Sequence, residues 1–409
     1  MNQRSAPSGR AAKGECQYRF ASRMAKTPKS FIREILKVTE KPEVISFAGG
    51  LPNPALIDTG AIRRAADAVL KSDGRTALQY STTEGYLPLR KFIADRYRER
   101  LGLKISPDEV LITNGSQQCL DLIGRIFINP GDHIAIERPG YLGAIQAFSL
   151  NEPVFHPVTL NDDGPDLKVL EKACRSHDIR LFYGIPNSQN PSGISYSGEK
   201  RRMLAEVLGG HDTLFVEDDA YGELRFSGGS LPSLRSFLPD QTIITGSFSK
   251  ILSPGMRLGW VVAPPAIMEQ LVIAKQAADL HSNYLSQRIA YEYLSTNDIE
   301  IHIKKIRKAY RRQCETMITM IEEKFPEAVS CTHPLGGMFV WVTLPEGYSS
   351  MVVFNEALKQ NVAVLPGLPF YVDGGGTDML RLNFSNATCE TIQTGMERLA
   401  LVLKKNRPV

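Results

Sequence analysis

The stretch "TIITGSFSKILSPGMRLGWVVAP", residues 242–264, contains two apolar, β-branched runs joined by a short polar connection. The first run ends near Phe248 and the second begins near Leu258, and the Pro254-Gly255 turn between them is incompatible with a helix. Parallel neighbouring strands need a crossover of about a dozen residues or more, usually a helix. The second run is therefore predicted to be a strand that lies antiparallel to the rest of its sheet.

Upstream of this stretch, short apolar strands alternate with amphipathic helices. With the two runs above, the predicted strands cover residues 109–113, 133–137, 153–158, 179–184, 213–219, 242–248 and 258–264. The helical segments between the early strands cover residues 116–127, 166–178 and 198–209. Such alternation indicates an α/β fold, with a mainly parallel seven-stranded sheet covered by helices on both faces.

Downstream of residue 265 the pattern changes to long helical periodicity over 284–325, followed by short strands at 336–345, 362–367 and 379–385 and a last helix. This pattern predicts a smaller α+β domain. The expected division is a disordered tail at 1–15, an N-terminal arm at 16–50, a large ligand-binding domain at 51–283 and a small C-terminal domain at 284–409. A helix at 30–38 within the arm is expected to pack on the small domain.

Composition excludes several classes of protein. The net charge of +4 over 409 residues is too small to indicate binding to nucleic acid or to a membrane surface. No run approaches the ~18 apolar residues of a membrane helix. The histidines show no H-x-x-x-H or comparable spacing, so no metal site is predicted. The six cysteines are scattered without a C-x-x-C pair, which favours reduced thiols in a cytoplasmic protein.

Polar residues follow the carboxyl ends of the predicted strands, where open α/β sheets bind their ligands. The residues at these ends are Ser116, Gln117, Tyr141, Asn190, Asp218, Tyr221, Ser247, Ser249, Lys250 and Arg257. Each has an ordinary explanation taken alone. "NPSG" is a common turn, "EDD" is a solvated loop or a magnesium site, and a Gly-Ser helix start is often only an N-cap. Their order along one predicted rim favours a single ligand site.

One end of this rim suits a phosphate group. The helix that opens at Ser116 offers backbone N–H groups and a favourable dipole. Ser247 and Ser249 can donate hydrogen bonds, and Arg257 can bind in a fork.

The other end of the rim suits a ring that carries an aldehyde. Lys250 can condense with the aldehyde, and Asp218 can keep a ring nitrogen protonated. Asn190 and Tyr221 can donate to a phenolic oxygen, while Tyr141 can stack on the ring face. This set of groups matches pyridoxal 5′-phosphate, PLP, acting as an electron sink.

Several ordered motifs carry a resemblance to a known family. They are "ISFAGGLPNP" (45–54), "LQYSTTEGYLPLR" (78–90), "TNGSQQCLDL" (113–122), "VEDDAYGELRF" (216–226), "GSFSKILSPGMRLGW" (246–260) and "MLRLNFS" (379–385). Over about residues 20–405 the chain resembles the fold-type I PLP-dependent aminotransferases of class I/II, in the kynurenine/2-aminoadipate aminotransferase branch. The resemblance implies the aspartate aminotransferase-like fold and a homodimer with active sites at the subunit interface.

The resemblance also implies roles for individual residues. Lys250 would be the Schiff-base lysine, Asp218 the partner of the pyridine nitrogen and Tyr141 the stacking ring, and these three form the catalytic set. Asn190 and Tyr221 would reach the phenolic oxygen. The implied phosphate ligands are Ser116, Gln117, Ser247, Ser249, Arg257 and, from the other subunit, Tyr80. The implied substrate contacts are Arg381 at the α-carboxylate, Asn190 and Gly50.

The implied activity is transfer of the amino group of an L-amino acid to a 2-oxo acid, 2-oxoglutarate in most of the family, by a ping-pong mechanism. The loop "FAGGLPNPALI" (47–57) suits aromatic or aliphatic donors, and a 2-aminoadipate-like donor fits the branch. A decarboxylase, lyase or oxidase/cyclase of the same fold remains an alternative, because all need the same lysine. An effector-sensing domain of a regulator is least favoured, since about 20 residues precede the similar region and a winged helix needs more.

Overall fold

The computed structural model describes residues 18–26 and 41–406. The predicted tail at 1–15 and the predicted helix at 30–38 lie outside the described residues. The described strands, in chain order, are β1 (Ile45–Ser46), β2 (Val110–Thr113), β3 (His133–Arg138), β4 (Val154–Asn161), β5 (Gly164–Pro165), β6 (Ile179–Gly184), β7 (Leu214–Asp218), β8 (Thr242–Ser247), β9 (Gly259–Val262), β10 (Ser330–Cys331), β11 (Phe339–Thr343), β12 (Val362–Ala363), β13 (Leu365–Pro366) and β14 (Met379–Asn383).

Helices cover much of the remaining chain. The described α-helices are α1 (Arg23–Lys26), α2 (Thr59–Ala77), α3 (Leu87–Leu101), α4 (Ser116–Phe127), α5 (Leu142–Ser149), α6 (Leu167–Ser176), α7 (Gly198–Gly209), α8 (Pro265–Asp279), α9 (Tyr284–Thr296), α10 (Ile299–Lys324), α11 (Ser350–Lys359) and α12 (Cys389–Lys405). No α-helix in the described ranges is both long enough and apolar enough to span a membrane.

The largest sheet has the strand order β2-β9-β8-β7-β6-β3-β4-β5. Strands β4, β3, β6, β7 and β8 run parallel to one another. β9 is antiparallel to both β8 and β2, which confirms the orientation predicted from the short connection after Phe248. All seven predicted strands form. The eighth, β5, was missed, because two residues are too short to show a strand pattern.

Both faces of the central strands are buried, which explains their continuous apolar sequence. Ile134 and Ile136 pack into the main core on one face, and Ala135 between them packs into a second core on the other. Phe182 and Phe215 lie in the same second core, beneath helices α6 and α7. A parallel sheet covered on both sides leaves its strand ends as the exposed edges where polar residues gather.

The C-terminal part differs in one respect from the sequence prediction. The helical periodicity over 284–325 is confirmed, but it did not indicate the break at Asn297 and Asp298 that separates α9 from α10. The carboxylate of Asp298 accepts from the N–H of Glu300 at 2.9 Å and so caps α10. Beyond α10, four strands form an antiparallel sheet in the order β10-β11-β14-β13. β1 pairs in parallel with β12, which ties the segment before α2 to the C-terminal part.

Candidate functional site

A cavity of about 280 Å³ lies at the carboxyl ends of the central parallel strands. It brings together every residue that the sequence analysis assigned to the site except Tyr80. The predicted residues that line it are Gly50, Ser116, Gln117, Tyr141, Asn190, Asp218, Tyr221, Ser247, Ser249, Lys250, Arg257 and Arg381. These residues come from distant parts of the chain. Most of them follow strands of the large sheet, whereas Arg381 lies on β14 of the C-terminal sheet.

One end of the cavity is built to receive an anion. Helix α4 starts there at Ser116, and its first-turn N–H groups and dipole favour negative charge. The backbone N–H of Ser249 donates to Oγ of Ser247 at 3.1 Å, which orders the turn after β8. The guanidinium of Arg257 donates from Nη2 to the carbonyl oxygen of Asn114 at 3.2 Å and so lies beside the start of α4.

Two glycines allow this close approach. Gly115 has φ of 77°, and a Cβ there would lie 2.7 Å from Nη2 of Arg257. A Cβ on Gly259 would lie 2.7 Å from the backbone nitrogen of Ser116. Both contacts are far shorter than van der Waals separation, so larger residues at either position would displace the arginine or the helix start.

Lys250 projects into the cavity from the turn after β8. Its Nζ donates to the carbonyl oxygen of Gly50 at 3.0 Å. Burial, reinforced by the positive charges of Arg381 and Arg257, lowers the pKa of Lys250 to about 8, against the opposing effect of Asp218. An amine with such a pKa is neutral in a useful fraction of molecules near neutral pH, as nucleophilic or proton-transferring lysines require.

Asp218 ends β7 and is 3% exposed. Its Oδ2 accepts from the hydroxyl of Tyr183 at 2.7 Å, whereas Oδ1 has no hydrogen-bond partner in the described ranges. Burial raises the pKa of Asp218 to about 6, although the bond from Tyr183 opposes that rise. A buried carboxylate oxygen without a donor is costly, and Oδ1 is available to accept an N–H from a bound ligand.

Arg381 lies on β14 and is 1% exposed. It donates from Nη1 to Oδ1 of Asn190 at 2.9 Å, and Nδ2 of Asn190 donates to the hydroxyl of Tyr221 at 3.3 Å. The guanidinium also stacks over the Phe339 ring, 4.3 Å from its centroid. Burial lowers the pKa of Arg381 to about 10. Its Nε lacks a partner in the described part of the chain, which leaves binding capacity for an anion.

Tyr141 is the N-cap residue of α5 and lines the cavity. Its ring packs against Gly143, where a Cβ would lie 2.6 Å from the ring edge. The side chain of Gln117 donates to the carbonyl oxygen of the same glycine at 2.9 Å. Burial raises the pKa of Tyr141 to about 12, so the phenol stays neutral and keeps its O–H as a potential donor.

Tyr80 is the one predicted site residue that the structure does not bring into the cavity. Its side chain is 78% exposed and makes an edge contact with the ring of His281, with 5.8 Å between centroids. The resemblance assigned this tyrosine to the site of the other subunit, and its position in a single chain leaves that assignment a proposal.

Three lining residues were missed by sequence reasoning: Ile185, Ala220 and Phe339. Ile185 directly follows β6, and Ala220 follows the Asp218-Asp219 pair at the end of β7. Both could have been found by including apolar residues in the search of the strand carboxyl ends. Phe339 lies on β11 of the C-terminal sheet and reaches the cavity only through tertiary packing. It makes an edge contact with the ring of Tyr221 and gives that side of the cavity an apolar wall.

Comparison with known proteins places these features in a family context. The family model described as "Aminotransferase class I and II" matches residues 53–399. A 2-aminoadipate transaminase from Thermus thermophilus is 43% identical, over 92% of this chain and 94% of its own length. An aromatic-amino-acid aminotransferase from Thermococcus litoralis is 41% identical, over 92% of each chain. A crystal structure of a kynurenine aminotransferase from Pyrococcus horikoshii, solved with PMP, superposes with a TM-score of 0.91 at 39% identity, covering 95% of this chain and 98% of the other.

Proposed function

Because this chain belongs to the aminotransferase class I and II family, we propose that it moves the amino group of an aromatic, aliphatic or 2-aminoadipate-like L-amino acid to a 2-oxo acid. Its cofactor is PLP. The acceptor we propose is 2-oxoglutarate, with both half-reactions passing through Lys250 in a ping-pong cycle. The kinds of donor named for its relatives support this range of substrates.

One observation carries the proposal. A single cavity holds the Lys250 amine, the unpartnered Oδ1 of Asp218 and the Arg381 guanidinium. When bound, PLP supplies an aldehyde that condenses with amines and a cationic ring that withdraws electrons. The donor set fits that group: an amine for the aldehyde, a carboxylate for the ring nitrogen, and a helix start with Arg257 for the phosphate.

The residues of the chain then divide the work. Lys250, with its lowered pKa, would take the Cα proton of the amino acid and would return a proton at the aldehyde-derived carbon of the cofactor. Asp218 would hold the proton of the ring nitrogen in place through its charge and a hydrogen bond. Arg381 would bind the α-carboxylate and so fix the Cα–H bond relative to Lys250. Asn190 and Tyr221 would donate to the phenolic oxygen, and Tyr141 would cover the ring face.

The test is a panel of L-amino acids mixed singly with the PLP-loaded protein in the absence of acceptor. The expected result is a stoichiometric 2-oxo acid and loss of the lysine-bound cofactor absorbance, reversed by 2-oxoglutarate. Aromatic, aliphatic and 2-aminoadipate donors should react faster than aspartate. Release of carbon dioxide or ammonia in place of the 2-oxo acid would favour the decarboxylase or lyase alternative.

We further propose that the chain forms a homodimer in which Tyr80 reaches the phosphate of the partner's cofactor. Support comes from an exposed apolar surface in which Leu78, Tyr80 and Leu280 are 68%, 78% and 49% exposed. The contact between Tyr80 and His281 brings these parts of the chain together. Sedimentation should give twice the monomer mass, and Tyr80→Phe should weaken PLP binding without changing that mass.

The domain division and location are proposals as well. A large PLP-binding domain at 51–283 and a small domain at 284–409 agree with the separate eight-stranded and four-stranded sheets. Limited proteolysis that cuts near residue 283 and releases two stable fragments would support the boundary. A cytoplasmic location is favoured because the five cysteines of the described ranges are free thiols, and thiol titration of the unreduced protein tests it.

A further inference from the structure

Three histidines that are far apart in sequence meet at the edge of the large sheet opposite to the cavity. His133 is the first residue of β3, and His156 lies near the start of the neighbouring strand β4. His177 follows the end of α6, two residues before β6 begins. The order of the three strands in the sheet is β6-β3-β4, so all three histidines lie at their amino ends.

The strand register explains why the side chains share one face. His133 pairs with Val154, and Ala135 pairs with His156, so the two histidines are diagonal neighbours on the same side of the sheet. On the other side of β3, His133 pairs with Ile179. His177 precedes Ile179 by two residues in extended backbone, with φ of −143°, and therefore points to that same face.

The ring geometry is compatible with a shared ligand. Nδ1 of His133 lies 2.7 Å from Nε2 of His156, and one potential ligand nitrogen from each of the three rings lies within 4.8 Å of the others. The His177 ring stacks on that of His133 at 4.6 Å between centroids and is 4.5 Å from that of His156. The 2.7 Å contact is a hydrogen bond between the two rings, which a bound ion would replace. Two nitrogens on one tetrahedral zinc ion are about 3.3 Å apart, a separation within the range spanned by these rings.

The electrostatic setting also suits a cation. The positive charge of Arg180 is balanced by two carboxylates. Its Nε lies 3.9 Å from Oδ1 of Asp132, and its Nη1 lies 3.4 Å from Oδ2 of Asp178. These two acids directly adjoin His133 and His177 in sequence.

We propose that His133, His156 and His177 form a binding site for a divalent transition-metal ion, with zinc as the reference ion and water completing the coordination. Three imidazoles are a ligand set that suits Zn²⁺, Ni²⁺ or Cu²⁺ rather than Mg²⁺ or Ca²⁺. The bound ion would link β3, β4 and the segment between α6 and β6, at the edge of the sheet remote from Lys250. Its role is therefore to hold β3, β4 and the end of α6 together, and it does not take part in amino transfer.

The experiment uses the PLP-loaded protein without a histidine tag, stripped with a chelator and titrated with ZnCl₂ in a calorimeter. A parallel titration with Co²⁺ follows its visible ligand-field bands, while the cofactor absorbance reports the active site. The expected result is one tightly bound ion per chain, a higher Tm with zinc, and an unchanged cofactor spectrum. Exposed His177→Gln should weaken zinc binding at least ~10-fold, as should His156→Gln.

The matched control is His333→Gln, because His333 is also exposed and lies outside the cluster. It should bind zinc as tightly as the parent protein. Circular dichroism and the cofactor spectrum show whether each variant is folded. Absence of saturable binding to the parent protein overturns the proposal, and so does equal affinity in the parent protein and folded His177→Gln.

Discussion

Nη1 of Arg381 donates to Oδ1 of Asn190 at 2.9 Å, and the amide nitrogen of the same asparagine donates to the hydroxyl of Tyr221 at 3.3 Å. The amide of Asn190 therefore joins the group proposed to bind the substrate carboxylate to a group proposed to bind the ring. Because Oδ1 must face the guanidinium, Nδ2 is fixed toward the cavity side of Tyr221. A single side chain thus orients both halves of the site.

Asn190→Ala should therefore impair two measurable properties at once. Loss of the bond to a charged partner is worth about 1.5–3 kcal/mol, so KM for the amino donor should rise roughly 10- to 100-fold. PLP affinity should fall as well, because Tyr221 loses its orienting partner. Asn187→Ala is the matched control, since Asn187 bonds to Asp219 outside the cavity lining. If Asn190→Ala alters KM but keeps the parental PLP affinity, Asn190 does not orient the ring-binding group, and the claim that it orients both groups is wrong.

Asp218→Asn should lower kcat by about 100-fold or more while some PLP still binds, because one preorganised charge at the reacting ring is lost. Steady-state rates and equilibrium dialysis of PLP measure the two effects. Tyr183→Phe is the comparison variant, as it removes only the bond to the other oxygen of Asp218. It should cost much less activity. An Asp218→Asn enzyme with the parental rate would remove this carboxylate from the mechanism.

The lowered pKa of Lys250 predicts how cofactor attachment depends on pH. The amine attacks an aldehyde only when neutral, so the rate of covalent attachment to the apoprotein should rise as pH increases and level off above about 8. Stopped-flow absorbance after mixing apoprotein with PLP follows this step. Lys250→Ala should show no attachment and no turnover.

Arg381→Gln provides the second arm of the pH experiment. Arg381 is the strongest of the neighbouring positive charges that lower the pKa of Lys250, and its removal should move the midpoint of the profile to higher pH. A parental midpoint near the ordinary lysine value of 10.5 would contradict the burial argument.

Gly115→Ala should weaken PLP binding, because the new methyl group lies 2.7 Å from Nη2 of Arg257 and displaces the guanidinium. Gly102→Ala is a matched control: its φ of 68° imposes similar backbone strain, and no atom of the described chain lies within 4 Å of the added carbon. Each change should cost about 1–2 kcal/mol of folding stability. Only Gly115→Ala should raise the Kd for PLP, by about 10-fold; equal Kd values in the two variants would refute the contact argument.

Much of the large sheet could be predicted from sequence because its strands are short apolar runs with polar residues at one end. The same rule located Asp218 and Lys250 within the cavity lining. It failed for Phe339, which enters the cavity from another sheet, and for β5, which is too short to have a pattern. Helical periodicity, in turn, did not reveal the division between α9 and α10, because the apolar pattern continues past Asp298.

The three histidines show a different limit of sequence analysis. Their spacing in the chain has no helical or turn period, and no metal site was predicted. Their proximity depends on the order of β6, β3 and β4 in the sheet and on the register that aligns His156 with Ala135. The register between two parallel strands depends on tertiary packing, so it cannot be read from one sequence.

The reversed direction of β9 has a consequence for how this protein tolerates insertions. A parallel β9 would need a long crossover. Because β9 is antiparallel to β8, one short connection between them contains both Lys250 and Arg257. The number of residues between them therefore sets the span between two chemical anchors, and each added residue can extend it by up to ~3.6 Å. Most surface loops tolerate changes of length. If Lys250 and Arg257 bind the two ends of PLP as proposed, this connection would instead have a length matched to the cofactor.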